Sequence, residues 1–131
     1  MIIDTSVLLA IYFDEPEAKR FSKLIVNDAN PKISAGNYLE IYLKIDYGNN
    51  DLSRFAFEDS FKGFGIEIAP VTISQIEIAR RANQVFGRGS GHKAKLNFGD
   101  CFAYALAKEL DSPLLFKGND FTHTDIKTVR Y

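Results

Sequence analysis

The chain has 131 residues, 46% of them apolar and 13% aromatic, enough for one domain with a single sizeable core over residues 1–131. A formal net charge of −1 excludes a globally basic nucleic-acid binder, and the longest unbroken apolar run, residues 7–13, is far short of the roughly 20 residues of a membrane span. Cys101 is the only cysteine, which excludes an internal disulfide, and His92 and His123 are too few for a zinc centre; with MIID at the start and no basic leader, the expected location is the cytoplasm.

In chain order, Met1 to Asp4 reads as a short buried strand that ends in an acid, and residues 5–13 as the start of a helix. Asp14 and Glu17 have capping-box spacing for a second helix, striped by Ala18, Phe21, Leu24, Ile25 and Ala29 and ended by Pro31. Ile33 and Ser34 make a minimal strand. Residues 35–47 form a helix rich in Tyr, Leu and Ile, stopped by Gly48, Asn49 and Asn50. A helix over 52–64 carries Phe57, Phe61 and Phe64, with Gly65 closing it, and 66–71 is strand-like. Ser74 and Glu77 suggest a second capping box, opening a helix whose polar side holds Arg80 and Arg81. Residues 87–93 are a loop without an apolar anchor, residues 96–110 a buried helix headed by Asp100, and 113–116 a buried strand. A turn-rich KGND and a last strand near 128–131 follow. Short apolar strands alternating with amphipathic helices predict an α/β fold of three layers, α/β/α, around a central parallel sheet of four to five short strands.

Four acids stand out on this map. Asp4 and Asp120 follow strands, Asp100 opens a helix that starts at the same sheet edge, and Glu40 lies inside an apolar helix. Each also has a purely structural role open to it: a helix cap for Asp4, a pair with Lys44 for Glu40, the third helical position after an Asn97 cap for Asp100, and a turn for Asp120. Brought together, four carboxylates would repel one another, and a divalent cation removes that conflict. Oxygen ligands without histidine or thiolate suit Mg²⁺ or Mn²⁺. Between residues 78 and 99 lie Arg80, Arg81, Arg88, Lys93 and Lys95 and no acid, a basic face expected to hold a nucleic-acid backbone. A hard ion among carboxylates beside a basic loop suits phosphodiester hydrolysis by an activated water.

DTSVLLA at the N-terminus, Glu40 in its helix, SGHKAKLNFGDCFAYALA at 90–107 and LLFKGNDFTHTDI at 114–126 together resemble the PIN-domain ribonucleases of the VapC toxin family, across essentially the whole chain. The resemblance implies a small PIN-like α/β/α fold, Mg²⁺- or Mn²⁺-dependent endoribonuclease activity, and a cognate VapB-like antitoxin that holds the toxin inactive. It makes Asp4 and Asp100 the principal metal ligands, lets Glu40 and Asp120 complete an acidic quartet, and places Ser6 at the family's hydroxyl position. Asn119 stands where many relatives carry a second acid, and Asp125 is a further acid near that corner. The alternatives from other classes are a non-catalytic RNA- or protein-binding relative and a housekeeping RNA-maturation nuclease. Aromatics in excess of one small core, on the helices of Phe13, Phe21, Tyr38, Tyr42, Phe57 and Phe61, predict a homodimer and an antitoxin groove.

Overall fold

The computed structural model describes residues 1–47 and 51–131, so the expected helix stop at Gly48, Asn49 and Asn50 lies outside the described residues. Four parallel strands form the sheet in the order β3-β2-β1-β4: β1 (Ile2–Ile3), β2 (Lys32–Ser34), β3 (Glu67–Ala69) and β4 (Leu114–Leu115). Six α-helices cover it: α1 (Thr5–Tyr12), α2 (Ala18–Val26), α3 (Ala35–Ile45), α4 (Asp51–Gly63), α5 (Ile73–Phe86) and α6 (Phe98–Glu109). No helix among the described residues is long and apolar enough to cross a membrane.

The pleat divides the core in two, because successive side chains of a strand point to opposite faces. Ile3, Ile33 and Leu115 face a cluster with Val7, Leu8, Phe21, Ile25, Ile41 and Phe57 from α1 to α4. Ile2 and Leu114, their chain neighbours, face a second cluster with Ala82, Ala103, Leu106 and Ala107 from α5 and α6. All five sheet residues have no solvent exposure, which is why both faces of the sheet carry Ile and Leu instead of alternating with polar groups. The chain runs from β1 outward to β3 and then returns to place β4 on the other side of β1. The reversal opens a crevice at the carboxyl ends of β1 and β4.

Several local expectations need correction. Asp14 and Glu17 form no capping box; Glu17 is the N-cap of α2 without a side-chain capping bond, and α2 ends at Val26, short of Ala29. Helix α5 begins two residues earlier than the Ser74–Glu77 pair suggested, because the Thr72 hydroxyl accepts from the Gln75 N–H at 3.2 Å. The last strand shrinks to a single bridge between Leu114 and Thr128. The loop after α5 is anchored after all: it contains a 3₁₀ turn over Arg88–Ser90, and Phe86 packs against the His92 ring at 5.0 Å. Of the six aromatics thought surplus to the core, only Phe13 is exposed. Phe21, Phe57 and Phe61 are buried, and Tyr38 and Tyr42 pack against them. The exposed large apolar side chains are others, including Leu39, Leu43, Phe55, Ile73 and Phe98.

Phe21 is fully buried in the α1–α4 cluster and stacks edge-on against Tyr131 at 4.7 Å. Phe21→Ala is expected to cost about 3–5 kcal/mol of unfolding free energy, read by urea denaturation, with the denaturant slope unchanged.

Candidate active site

The crevice outside β1 and β4 is a cleft of about 360 Å³ lined by Asp4, Ser6, Glu40, Asp100 and Asp120 among others, so all five residues singled out for catalysis come together. Each arrives by a different local device. Asp4 ends β1 and is the N-cap of α1: its Oδ2 accepts from the Ser6 N–H at 2.9 Å and from the Ser6 hydroxyl at 2.6 Å. Asp100 is the third residue of α6 in a complete capping box, accepting from the Asn97 N–H at 2.7 Å while its own N–H donates to Asn97 Oδ1 at 2.9 Å. Both carboxylates are therefore buried at helix starts, at 5% and 7% exposure, where the dipole and free N–H groups favour negative charge.

Glu40 is placed by three neighbours. The Thr5 hydroxyl donates to its Oε2 at 2.7 Å, and Lys44, one turn on, pairs with its Oε1 at 3.2 Å. Gly99 leaves room for it, since a Cβ there would stand 2.4 Å from Glu40 Oε2. Thr5 is itself held by Asn37, which is fully buried; the Asn37 amide donates to Thr5 Oγ1 at 3.1 Å and to the Gly99 carbonyl at 3.0 Å. Asn37 and Glu40, three residues apart, share one face of α3 and draw α1 and α6 onto it. Asp120 is exposed at the rim, in the turn after β4. Asp125 lies elsewhere: it accepts from the Tyr104 hydroxyl at 2.6 Å and from Lys108 at 2.5 Å, and it does not line the cleft.

Burial raises the Asp4 carboxyl above its ordinary value, with Glu40 adding to the rise and the Ser6 bonds opposing it. Burial also pushes Asp100 up to about 7; Asp4, Asp120 and Glu40 add to this, and the Asn97 backbone bond works against it. Among the described residues neither carboxylate has a basic side chain bonded to it, so burial is left to raise both. The donor set fits a hard divalent ion: two helix-anchored carboxylates, Asp4 and Asp100, with no histidine lining the cleft. Among the described residues no group of three or more His, Cys, Asp or Glu is placed to hold a metal ion together.

The PIN domain family model matches residues 1–127. The chain belongs to the PIN-domain family. It is 42% identical over 127 residues to Ribonuclease VapC28 of Mycobacterium tuberculosis, covering 97% of this chain and 96% of that protein. It is 41% identical over 129 residues to Ribonuclease VapC30 of the same organism, covering 98% of each. The solved structure of Mycobacterium tuberculosis VapC20, a Sarcin-Ricin loop cleaving toxin, shares the fold with a TM-score of 0.75 at 15% identity, over 99% of this chain and 98% of that one. VapBC2 from Rickettsia felis, bound to a promoter DNA fragment, gives 0.76 at 12% identity over 98% and 96%. Within the PIN family the chain thus stands among the VapC ribonucleases.

The basic residues divide differently from the sequence expectation. Arg80, Arg81, Arg88, Lys93 and Lys95 are all exposed, and none lines the PIN-domain cleft. Arg80 and Arg81 border separate hollows, one beside Phe98 and Cys101 and the other beside Tyr104 and Lys108. The cations that do line the cleft are Lys44 and Lys117. Sequence reading also missed Thr5, Asn37 and Gly99. Thr5 sits openly in the DTS motif, and Asn37 was legible as a polar residue one helical turn before Glu40. Gly99 carried no signal, because its role is to be absent.

Two outcomes follow from this geometry. Gly99→Ala is expected to displace the Glu40 carboxylate and lower activity at least tenfold with little change in melting temperature, since only a side-chain end must move. For Asp100, whose folded value of about 7 lies above its ordinary 3.8, the stability it contributes is fully present below pH 3.8 and is lost as the pH rises to about 7. In metal-free protein, the stability difference between the parent and Asp100→Asn should shift against the parent across that window and then level off, measured by urea titration at each pH.

Proposed function

We propose that the protein is a metal-dependent endoribonuclease, the toxin of a VapBC-like toxin–antitoxin pair, that hydrolyses RNA phosphodiester bonds. The observation that carries this is the convergence of Asp4, Glu40, Asp100 and Asp120 on one cleft at the carboxyl ends of β1 and β4, two of them buried against their own charge. The family relationship gives the activity class. The names of the relatives supply ribonuclease and toxin, and a toxin–antitoxin complex from Klebsiella pneumoniae is among the similar structures.

In this reading Asp4 and Asp100 hold Mg²⁺ or Mn²⁺, which supplies charge neutralisation for the phosphate and acidifies water near it. The residues of the chain prepare that place. Ser6 fixes the Asp4 carboxylate by two bonds, the Asn97 cap fixes Asp100, and Thr5 aims Glu40. Asp120, at the rim, faces the incoming strand, and Glu40, which no helix cap ties down, is suited to accept a proton from water. Selection of RNA over DNA is not explained by carboxylates, which do not touch the 2′-hydroxyl in this mechanism, and belongs to the surrounding shape. Arg80, Arg81, Arg88, Lys93 and Lys95 are assigned to the backbone of the substrate beyond the cleft. A VapB-like antitoxin and a second copy of the chain are the protein partners, for which exposed Leu39, Leu43, Phe55, Ile73 and Phe98 offer apolar surface.

The test is cleavage of tRNA and ribosomal RNA by antitoxin-free protein with Mg²⁺, with Mn²⁺ and with EDTA. Discrete fragments that need the ion and disappear in Asp4→Asn and Asp100→Asn are expected; intact RNA with folded, ion-supplied protein would favour the non-catalytic binding module. Charge reversal at Arg88 and Lys93 is expected to weaken RNA binding and flatten its dependence on salt, measured by titration at several salt concentrations.

A further inference from the structure

The cleft that receives a polyanion in this reading is itself acidic. Asp4, Glu15, Glu40, Asp100 and Asp120 line it against two ammonium groups, Lys44 and Lys117. Lys44 is an ordinary pair with Glu40 on the same helix. Lys117 is different in two respects. Its backbone is pinned, because the Lys117 N–H donates to Ser6 Oγ at 2.9 Å while the Ser6 hydroxyl donates to Asp4 at 2.6 Å, so it starts two hydrogen bonds from a principal carboxylate. Its ammonium is paired with Glu15 at 2.5 Å and Glu17 at 2.8 Å, on the turn between α1 and α2, and not with Asp4 or Asp100. Glu15 lines the cleft, whereas Glu17 does not.

These contacts are cheap to break. The three side chains are 31%, 38% and 35% exposed, and ion pairs this accessible to water contribute little to stability. A lysine is a compact charge on a flexible stem with three donors, able to change partner without moving its backbone. We propose that Lys117 is a contact for the RNA backbone in the cleft, held in reserve by Glu15 and Glu17 and exchanging Glu17 for a phosphate oxygen when the strand enters. The inference rests on the ribonuclease reading. It adds a substrate-binding residue and a competition: the two glutamates oppose RNA binding because they occupy the charge that RNA needs.

The competition separates this role from that of a strap that merely holds the α1–α2 turn. The experiment is a fluorescence-anisotropy titration of labelled tRNA, with Mg²⁺ and at several salt concentrations, onto non-cleaving Asp100→Asn protein carrying in addition Lys117→Gln or Glu17→Gln. Lys117→Gln is expected to weaken binding several-fold and to reduce the salt slope by about 0.7, the value of one single-strand phosphate contact. Glu17→Gln is expected to tighten binding. Equal weakening by both substitutions with an unchanged salt slope would overturn the proposal in favour of the strap, with matching losses in melting temperature. Lack of tRNA binding by the Asp100→Asn parent would instead bring down the ribonuclease reading, and the role of Lys117 with it.

Discussion

Two carboxylates of like charge, Asp4 and Asp100, have to stay buried side by side at one edge of a sheet, and most of the architecture answers that demand. A desolvated carboxylate is tolerated where N–H groups point at it, and the first turn of a helix offers several with no other partner. The chain therefore places a helix start directly after β1 and another at the head of α6, each with its acid built into the cap. Capping and ion binding ask for the same side chain in the same place, so the structural role of each aspartate reinforces its chemical one. What the caps leave uncompensated is the burial that lifts Asp100 to about 7, with repulsion from Asp4, Asp120 and Glu40 adding to it, and a bound cation would relieve both.

The third acid lies inside a helix and has no cap to hold it, so its support comes from a buried polar relay. Asn37 splits its amide between Thr5 and Gly99, and Thr5 passes the order on to Glu40. This relay has a cost: among the described residues the buried Asn37 Oδ1 has no partner, and such an acceptor forfeits on the order of 1–3 kcal/mol. An apolar residue at 37 would avoid the penalty and would leave Thr5 and the Gly99 carbonyl without their donor. The cost is thus attached to holding α1, α3 and α6 in register around the cleft.

Much of this was legible in the sequence, and the reasons for the rest are specific. β1 and β4 showed because each is a short apolar run with polar flanks, and the Asp100 helix because the Asn97 cap has the right spacing from its acid. Asp4, Glu40, Asp100 and Asp120 could be chosen because an acid beside apolar surface demands a partner. Local signals failed where a tertiary partner outbid them. Asp14 and Glu17 suggested a capping box, yet the Glu17 side chain, with its neighbour Glu15, turns toward Lys117 about a hundred residues away. The basic stretch before Asp100 suggested proximity to the cleft, because adjacency along the chain was taken for adjacency in space, and the loop carries those side chains outward. Lys117 passed unnoticed in a turn-forming KGND, where its backbone bond to Ser6 has no signature.

The sheet also has a boundary problem, met at its two ends by different means. β4 is two residues long, and its outer side is taken by the closing segment of the chain: the Leu114 N–H donates to the Lys127 carbonyl at 2.9 Å, and the Val129 N–H donates to Leu114 at 2.9 Å. At the opposite edge, β3 exposes Glu67, which is paired with Lys32 on β2. One rim is covered and the other is charged, so neither offers a long apolar ladder on which a foreign strand could add. A small domain with a strongly apolar sheet can in this way sit beside copies of itself without templating their aggregation.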